Sequence, residues 1–187
     1  MTDIGAVYLD DARGLARFYK QLADRALAQV DDAAFHAVGE GPESNSIAII
    51  VKHMAGNLRS RWTDFLTTDG EKPDRHRDTE FLVADGDDRA ALTAAWERGW
   101  AAFIGTLDGL TADDLGATVV IRGEPHSVVA AIQRGLTHAA YHAGQIVFLA
   151  REAAGAEWSS LSIPRGQSEK FTKTMHDQQA SGGTSSA

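Results

Sequence analysis

Ile132-Gln133-Arg134-Gly135-Leu136-Thr137-His138-Ala139-Ala140-Tyr141-His142-Ala143-Gly144-Gln145-Ile146-Val147-Phe148-Leu149 is the stretch on which the fold reading turns. Its inner positions, Ile132, Gly135, Leu136, Ala139, Gln145, Ile146 and Leu149, recur at helical spacing and share one face. The pattern predicts a long helix that starts near Ser127, just after Pro125, and runs to about Ala153, with Gly155 ending it. His138 and His142 lie four residues apart within it, so their imidazoles stack on one side.

Working outward, three more segments share that period. The first runs from about Ile4 to Val30, with Val7, Tyr8, Leu15, Phe18, Tyr19, Leu22 and Ala26 at three- and four-residue steps. Gly39-Glu40-Gly41-Pro42 breaks the pattern, and Asn45 or Ser46 is a natural N-cap for a second helix reaching about Phe65. Its inner stripe is Ile49, Ile50, His53, Met54, Asn57, Leu58, Trp62 and Phe65. A third helix is predicted from about Asp87 to Leu107, carrying Leu92, Ala95, Trp96, Gly99 and Phe103. Residues 67–85 are charged and aperiodic, which predicts a long surface loop. Residues 110–115 read as a capped short turn, and residues 117–123 as a brief extended segment closed by a glycine turn. Four prolines and abundant alanine agree with an all-α class. The expected architecture is a four-helix bundle with a long loop between helices 2 and 3, occupying residues 1–174, followed by a flexible polar tail at 175–187.

Composition narrows the function. A chain of 187 residues is long enough for one domain with its own core. Its 18 Lys+Arg against 26 Asp+Glu, net charge −8, oppose a general nucleic-acid binder. With no cysteine, disulfides, thiolate zinc sites and a cysteine nucleophile are excluded, and any metal must be held by His and carboxylates. Met1-Thr2-Asp3-Ile4-Gly5 has no basic or apolar targeting character, and no apolar run reaches membrane-spanning length. The expectation is a cytoplasmic protein with no membrane partner.

Of the seven histidines, three stand apart. His53 sits on the inner stripe of the second helix. If helices two and four are neighbours, it approaches the His138/His142 pair from the facing wall. Three neutral imidazoles on a divalent ion leave coordination positions open, as in catalytic sites, and both zinc and nickel suit such ligands. The competing reading is three unrelated histidines. Ala139 follows His138 where a zincin carries Glu, so the metalloprotease motif is absent. Asn57 and Gln145 read either as groups that orient a bound water or substrate, or as buried amides satisfying the backbone. Arg59, Arg61 and Arg165 read as anchors for a substrate carboxylate or as ordinary surface pairs. Tyr141 is one position off the ligand face. Trp62, Trp96, Trp100 and Trp158 read as core or interface aromatics, and His36, His76, His126 and His176 as solvated. No nucleophilic triad or phosphate loop is recognisable.

Four segments carry a family resemblance: Asn45-Ser46-Ile47 leading to Lys52-His53-Met54-Ala55-Gly56-Asn57-Leu58-Arg59-Ser60-Arg61-Trp62, residues 65–73, His138-x-x-Tyr141-His142-x-Gly144-Gln145-Ile146, and Ser162-Ile163-Pro164-Arg165-Gly166. In these the chain resembles the DinB-like superfamily of metal-dependent four-helix bundles, in one of its branches of unknown function. The resemblance implies metal ligands at His53, His138 and His142 and a homodimer. Characterised relatives include thiol-dependent transferases and isomerases, which implies a low-molecular-weight thiol as cosubstrate. The functional expectation is a metal-dependent transferase or hydrolase acting on a small molecule. The alternative is a non-catalytic dimeric protein of the stress response that binds a metal or small ligand.

Overall fold

The computed structural model describes residues 2–182 and is mostly helical, with one two-stranded sheet among the described residues. The chain divides into two compact units, residues 1–155 and 156–187.

The first unit is organised by four long helices: α1 (Ile4–Leu27), α3 (Ile47–Trp62), α4 (Arg89–Gly109) and α5 (Val128–Ala154). A five-residue helix, α2 (Asp32–His36), follows α1, where the sequence predicts that the first helix continues to Val30. Side chains close the helix starts. The Asp3 carboxylate accepts from Gly5 N, Ser46 Oγ from Ile49 N, Asp88 from Ala91 N and Ser127 Oγ from Ala130 N, each satisfying an N–H that has no partner within its helix. Gly155, with φ of 53°, ends α5 in a left-handed conformation that a side chain would disfavour.

α3 packs on α4 and on α5, and α1 packs on the same two helices. At the α3–α4 contact, a Cβ on Gly99 would lie 3.0 Å from the Ala55 carbonyl oxygen and 3.2 Å from its Cα, so the two backbones touch directly. Trp96, Trp100, Phe103, Leu107 and Trp62 fill the space beside this contact, with the Trp62 and Phe103 rings stacked at 4.2 Å. α3 is buried on nearly every side, from Ile47 to Trp62, and so brings His53 into the interior.

Between α4 and α5 lies a 3₁₀ turn, Ala112–Gly116, then an antiparallel hairpin of β1 (Thr118–Ile121) and β2 (Glu124–Ser127). The sequence suggests the first strand only. Pro125 hides the second, although at the rim of a two-stranded ribbon it sacrifices little pairing. The connection from α3 to α4 is long, as expected, but it is not a simply solvated loop. It contains a 3₁₀ turn, Arg77–Phe81, and buries Arg75 and Glu80. Both its ends are tied to α3. Ser60 Oγ donates to Gly70 O at 2.9 Å and accepts from Lys72 N at 3.0 Å, while Lys52 Nζ reaches Leu82 O at 2.8 Å and Asp87 at 2.6 Å.

The second unit contains α6 (Ser168–Gly182), a helix where the sequence predicts a flexible tail from residue 175; residues 183–187 of that tail lie outside the described residues. Among the described residues, no helix is long and apolar enough to cross a membrane.

Candidate metal centre

α3 and α5 bring His53, His138 and His142 together. One ring nitrogen from each lies within 4.8 Å of the other two. The His53 and His138 Nε2 atoms are 3.3 Å apart, and the ring centroids stand 4.5 to 5.3 Å from one another. The condition on which the sequence reading depends, that the second and fourth long helices are neighbours, is met.

Each ring is oriented from behind. His53 Nδ1 lies 2.8 Å from Oε2 of Glu80, a residue delivered by the 3₁₀ turn of the loop. Burial alone would raise the Glu80 carboxyl pKa, but hydrogen bonds from His53 and Arg75, and their charges, hold it below the usual range. An ionised Glu80 only accepts, so His53 donates from Nδ1 and its Nε2 is the free nitrogen. Arg75 fixes that carboxylate in turn, donating from Nε to Oε1 at 2.8 Å and from Nη2 to Oε2 at 2.9 Å. On the opposite wall, Gln145 Oε1 accepts from His142 Nδ1 at 2.7 Å, which leaves His142 Nε2 free. His138 Nδ1 is buried without a hydrogen-bond partner.

This arrangement fits a divalent ion. Two imidazole nitrogens bound to one tetrahedral zinc at ~2.0–2.1 Å stand about 3.3–3.4 Å apart, which is the His53–His138 separation. A carboxylate behind a ligand histidine is the usual device for setting its tautomer and raising its basicity. Burial, reinforced by the neighbouring His142, His53, Arg75 and Arg61 charges, lowers His138 to a pKa of about 3. Burial and His53 lower His142 to about 4, against the opposing effect of its hydrogen bond to Gln145. Both rings are neutral at physiological pH, so an ion does not compete with protons for them.

A cavity of about 230 Å³ reaches this cluster at His53 and His138, with Asn57, Arg61, Trp62 and Phe65 in its wall. Asn57 and Arg61 thus lie where a ligand would meet them. Arg59 does not: it is half exposed and pairs with Asp74 at 2.8 Å. Arg165 belongs to the second unit. Tyr141 is largely exposed, its ring edge against His142. Sequence reasoning missed Glu80 and Arg75. Their only signal was an acid and a base five residues apart inside a charged run, immediately before apolar Phe81 and Leu82.

The structure therefore defines a mostly helical protein with a three-histidine group of the kind that holds a metal ion. Residues 3–167 match the family described as "Protein of unknown function (DUF1572)", and the chain belongs to that family. No curated protein matches it.

Proposed function

We propose that this chain is a DinB-like four-helix bundle that holds one divalent ion, zinc or nickel, on His53, His138 and His142, and that it is a cytoplasmic, homodimeric, metal-dependent enzyme acting on a small molecule. The observation that carries the reading is the convergence of three imidazoles, two of them oriented by Glu80 and Gln145, at the end of a cavity. When bound, the ion supplies Lewis acidity and lowers the pKa of a coordinated water or thiol. The chain's own residues do the remaining work. Glu80 and Arg75 hold His53 in one tautomer, Gln145 does so for His142, and Trp62 and Phe65 exclude water from one side of the cavity.

The choice between transferase and hydrolase rests on what the cavity lacks. Among the described residues no carboxylate lines it, and Glu80 is fully engaged by His53 and Arg75. A water in the cavity therefore meets no carboxylate among the described residues to take its proton. A thiol, with an ordinary pKa near ~8.5, needs far less help to ionise. This favours a thiol-dependent transferase.

Elemental analysis of protein purified without a metal-affinity step tests the metal, with about one ion per chain expected and its loss in His142→Ala. Metal-loaded protein is then screened with low-molecular-weight thiols and electrophiles. Turnover that disappears in His142→Ala supports the enzyme. Bound metal with no turnover across the screen supports the non-catalytic binding protein instead.

A further inference from the structure

Arg61, Arg75, Arg77, Arg122 and Arg134 all line the cavity, and no Asp or Glu does so among the described residues. In a chain with net charge −8 this is a local reversal of sign. The five come from four separate places: α3, the long loop, the β1–β2 turn and α5. A solvated helix face or a single charged run does not produce such a convergence.

Their partners do not neutralise them. Glu71, outside the cavity wall, is shared by three, lying 3.0 Å from Arg61 Nη1, 3.2 Å from Arg75 Nη1 and 3.2 Å from Arg122 Nε. Arg75 is otherwise committed to Glu80. Arg77 has a 3.7 Å approach to fully exposed Asp78, and the Arg134 side chain has no hydrogen bond or ion pair among the described residues, its carbonyl alone accepting from Thr137. Trp62 adds a buried indole N–H without an acceptor to the same wall.

Arg122 is placed there against its backbone preference. With φ of 57° at Arg122 and 75° at Gly123, the turn has both central residues left-handed, a geometry suited to Asn-Gly. The Asp69 carboxylate locks the turn, accepting from Arg122 N and Gly123 N at 2.8 Å each. A non-glycine residue held in this region is a pointer to function in its side chain.

We propose that the cavity is an oxyanion site, taking a small molecule that carries a phosphate or carboxylate group. Arg61, Arg122 and Arg134 hold that group, and the rest of the ligand lies against His53 and His138. The inference names the substrate class for the function proposed above and rests on that reading for the chemistry at the histidines. The cavity volume, about 230 Å³, falls just below the ~300–1,000 Å³ usual for ligand sites and so suits a small molecule. The overall negative charge repels a long polyanion, while the arginine wall acts within a Debye length.

The test uses the full chain, treated with chelator so that no ion contributes, titrated calorimetrically with orthophosphate and with malonate. At least one binds, and Arg134→Gln and Arg122→Asn each weaken that binding about tenfold or more. Arg134 is exposed on its helix and Asn suits the turn, so both variants keep the fold, which circular dichroism checks. Whichever anion binds more tightly identifies the headgroup. Binding of neither anion, binding unchanged in both variants, or equal binding of uncharged malonamide overturns the proposal. Binding that appears only after zinc is restored and ignores both substitutions also overturns it, while leaving the metal reading intact.

Discussion

Glu80 stands between two basic groups that approach it from different segments: His53 Nδ1 on α3 at 2.8 Å, and Arg75 of the loop at 2.8 and 2.9 Å. All three side chains are buried. The loop thus does more than join α3 to α4, because it sets the protonation pattern of a candidate ligand.

Glu80→Gln tests that relationship. The amide nearly preserves shape but no longer fixes His53 as an Nδ1 donor, so divalent-ion affinity is expected to fall about 10–100-fold. Competition with a chromogenic chelator measures it. The melting temperature also falls, since Arg75 keeps Glu71 alone as a charged partner. Unchanged affinity would rule out a role for Glu80 in the centre.

Gly56→Ala reaches the same carboxylate from the other side. A Cβ at Gly56 runs into the Glu80 side chain. Displacing this buried, doubly held carboxylate outweighs the up to ~1 kcal/mol that alanine gains in the helix, so both metal affinity and melting temperature are expected to fall. A variant that loses stability and keeps its affinity would point to a packing role instead.

Acid should destabilise the chelator-treated protein through His138 and His142. Their folded pKa values, about 3 and about 4, lie below the ordinary histidine value of 6.5. The unfolded chain therefore takes up protons first, and the stability contributed by these neutral rings is present above pH ~6.5 and is lost as pH falls toward those folded values. The melting temperature is expected to drop between pH 7 and 5. His142→Gln, which cannot titrate, is expected to flatten the slope. An identical slope in that variant would remove His142 from the account.

Arg122→Asn is expected to leave the unfolding free energy unchanged or raise it by up to ~1 kcal/mol, with the melting temperature held or raised accordingly, because Asn tolerates the left-handed turn better than Arg. The Arg122–Glu71 contact it removes is half exposed and contributes little. Stability and anion binding then move in opposite directions. Marked destabilisation would show that the arginine supports the turn.

Trp96 and Trp100 offer a matched comparison in the core. Trp96 Nε1 donates to Asp24 at 2.9 Å, whereas Trp100 Nε1 is buried with no acceptor. Replacing each by Phe leaves a similar gap, but only Trp96→Phe removes a hydrogen bond. It is expected to cost about 1 kcal/mol more in urea unfolding. Equal losses would mean that the Asp24 bond contributes nothing measurable.

The long helices were legible because their burial repeats at helical spacing, and His138 with His142 because both fall within one such repeat. His53 could be joined to them only by assuming which helices touch. The five-residue α2 is too short for a period to show, and Pro125 disguises β2. Glu80 and Arg75 escaped because a charged, aperiodic run reads as solvated, whereas a 3₁₀ turn folds part of it inward. The arginine wall escaped for a related reason. Arg61 reads in its own segment as a carboxylate anchor or a surface pair, Arg77, Arg122 and Arg134 look like ordinary surface charge, and only the fold assembles the four. The small polar residues after 175 describe solvation, and α6 shows that solvation leaves the backbone conformation open.

The direct backbone contact of Gly99 with Ala55 has a consequence for redesign. It braces the histidine-bearing helix from the rear, with only the Leu58 Cβ beside the main-chain atoms, so the depth at which residue 53 stands is set chiefly by two main chains. Retargeting this scaffold to a new compound should therefore spare positions 55 and 99 and vary the mouth, at 77, 122 and 134, where altered side chains leave the brace untouched.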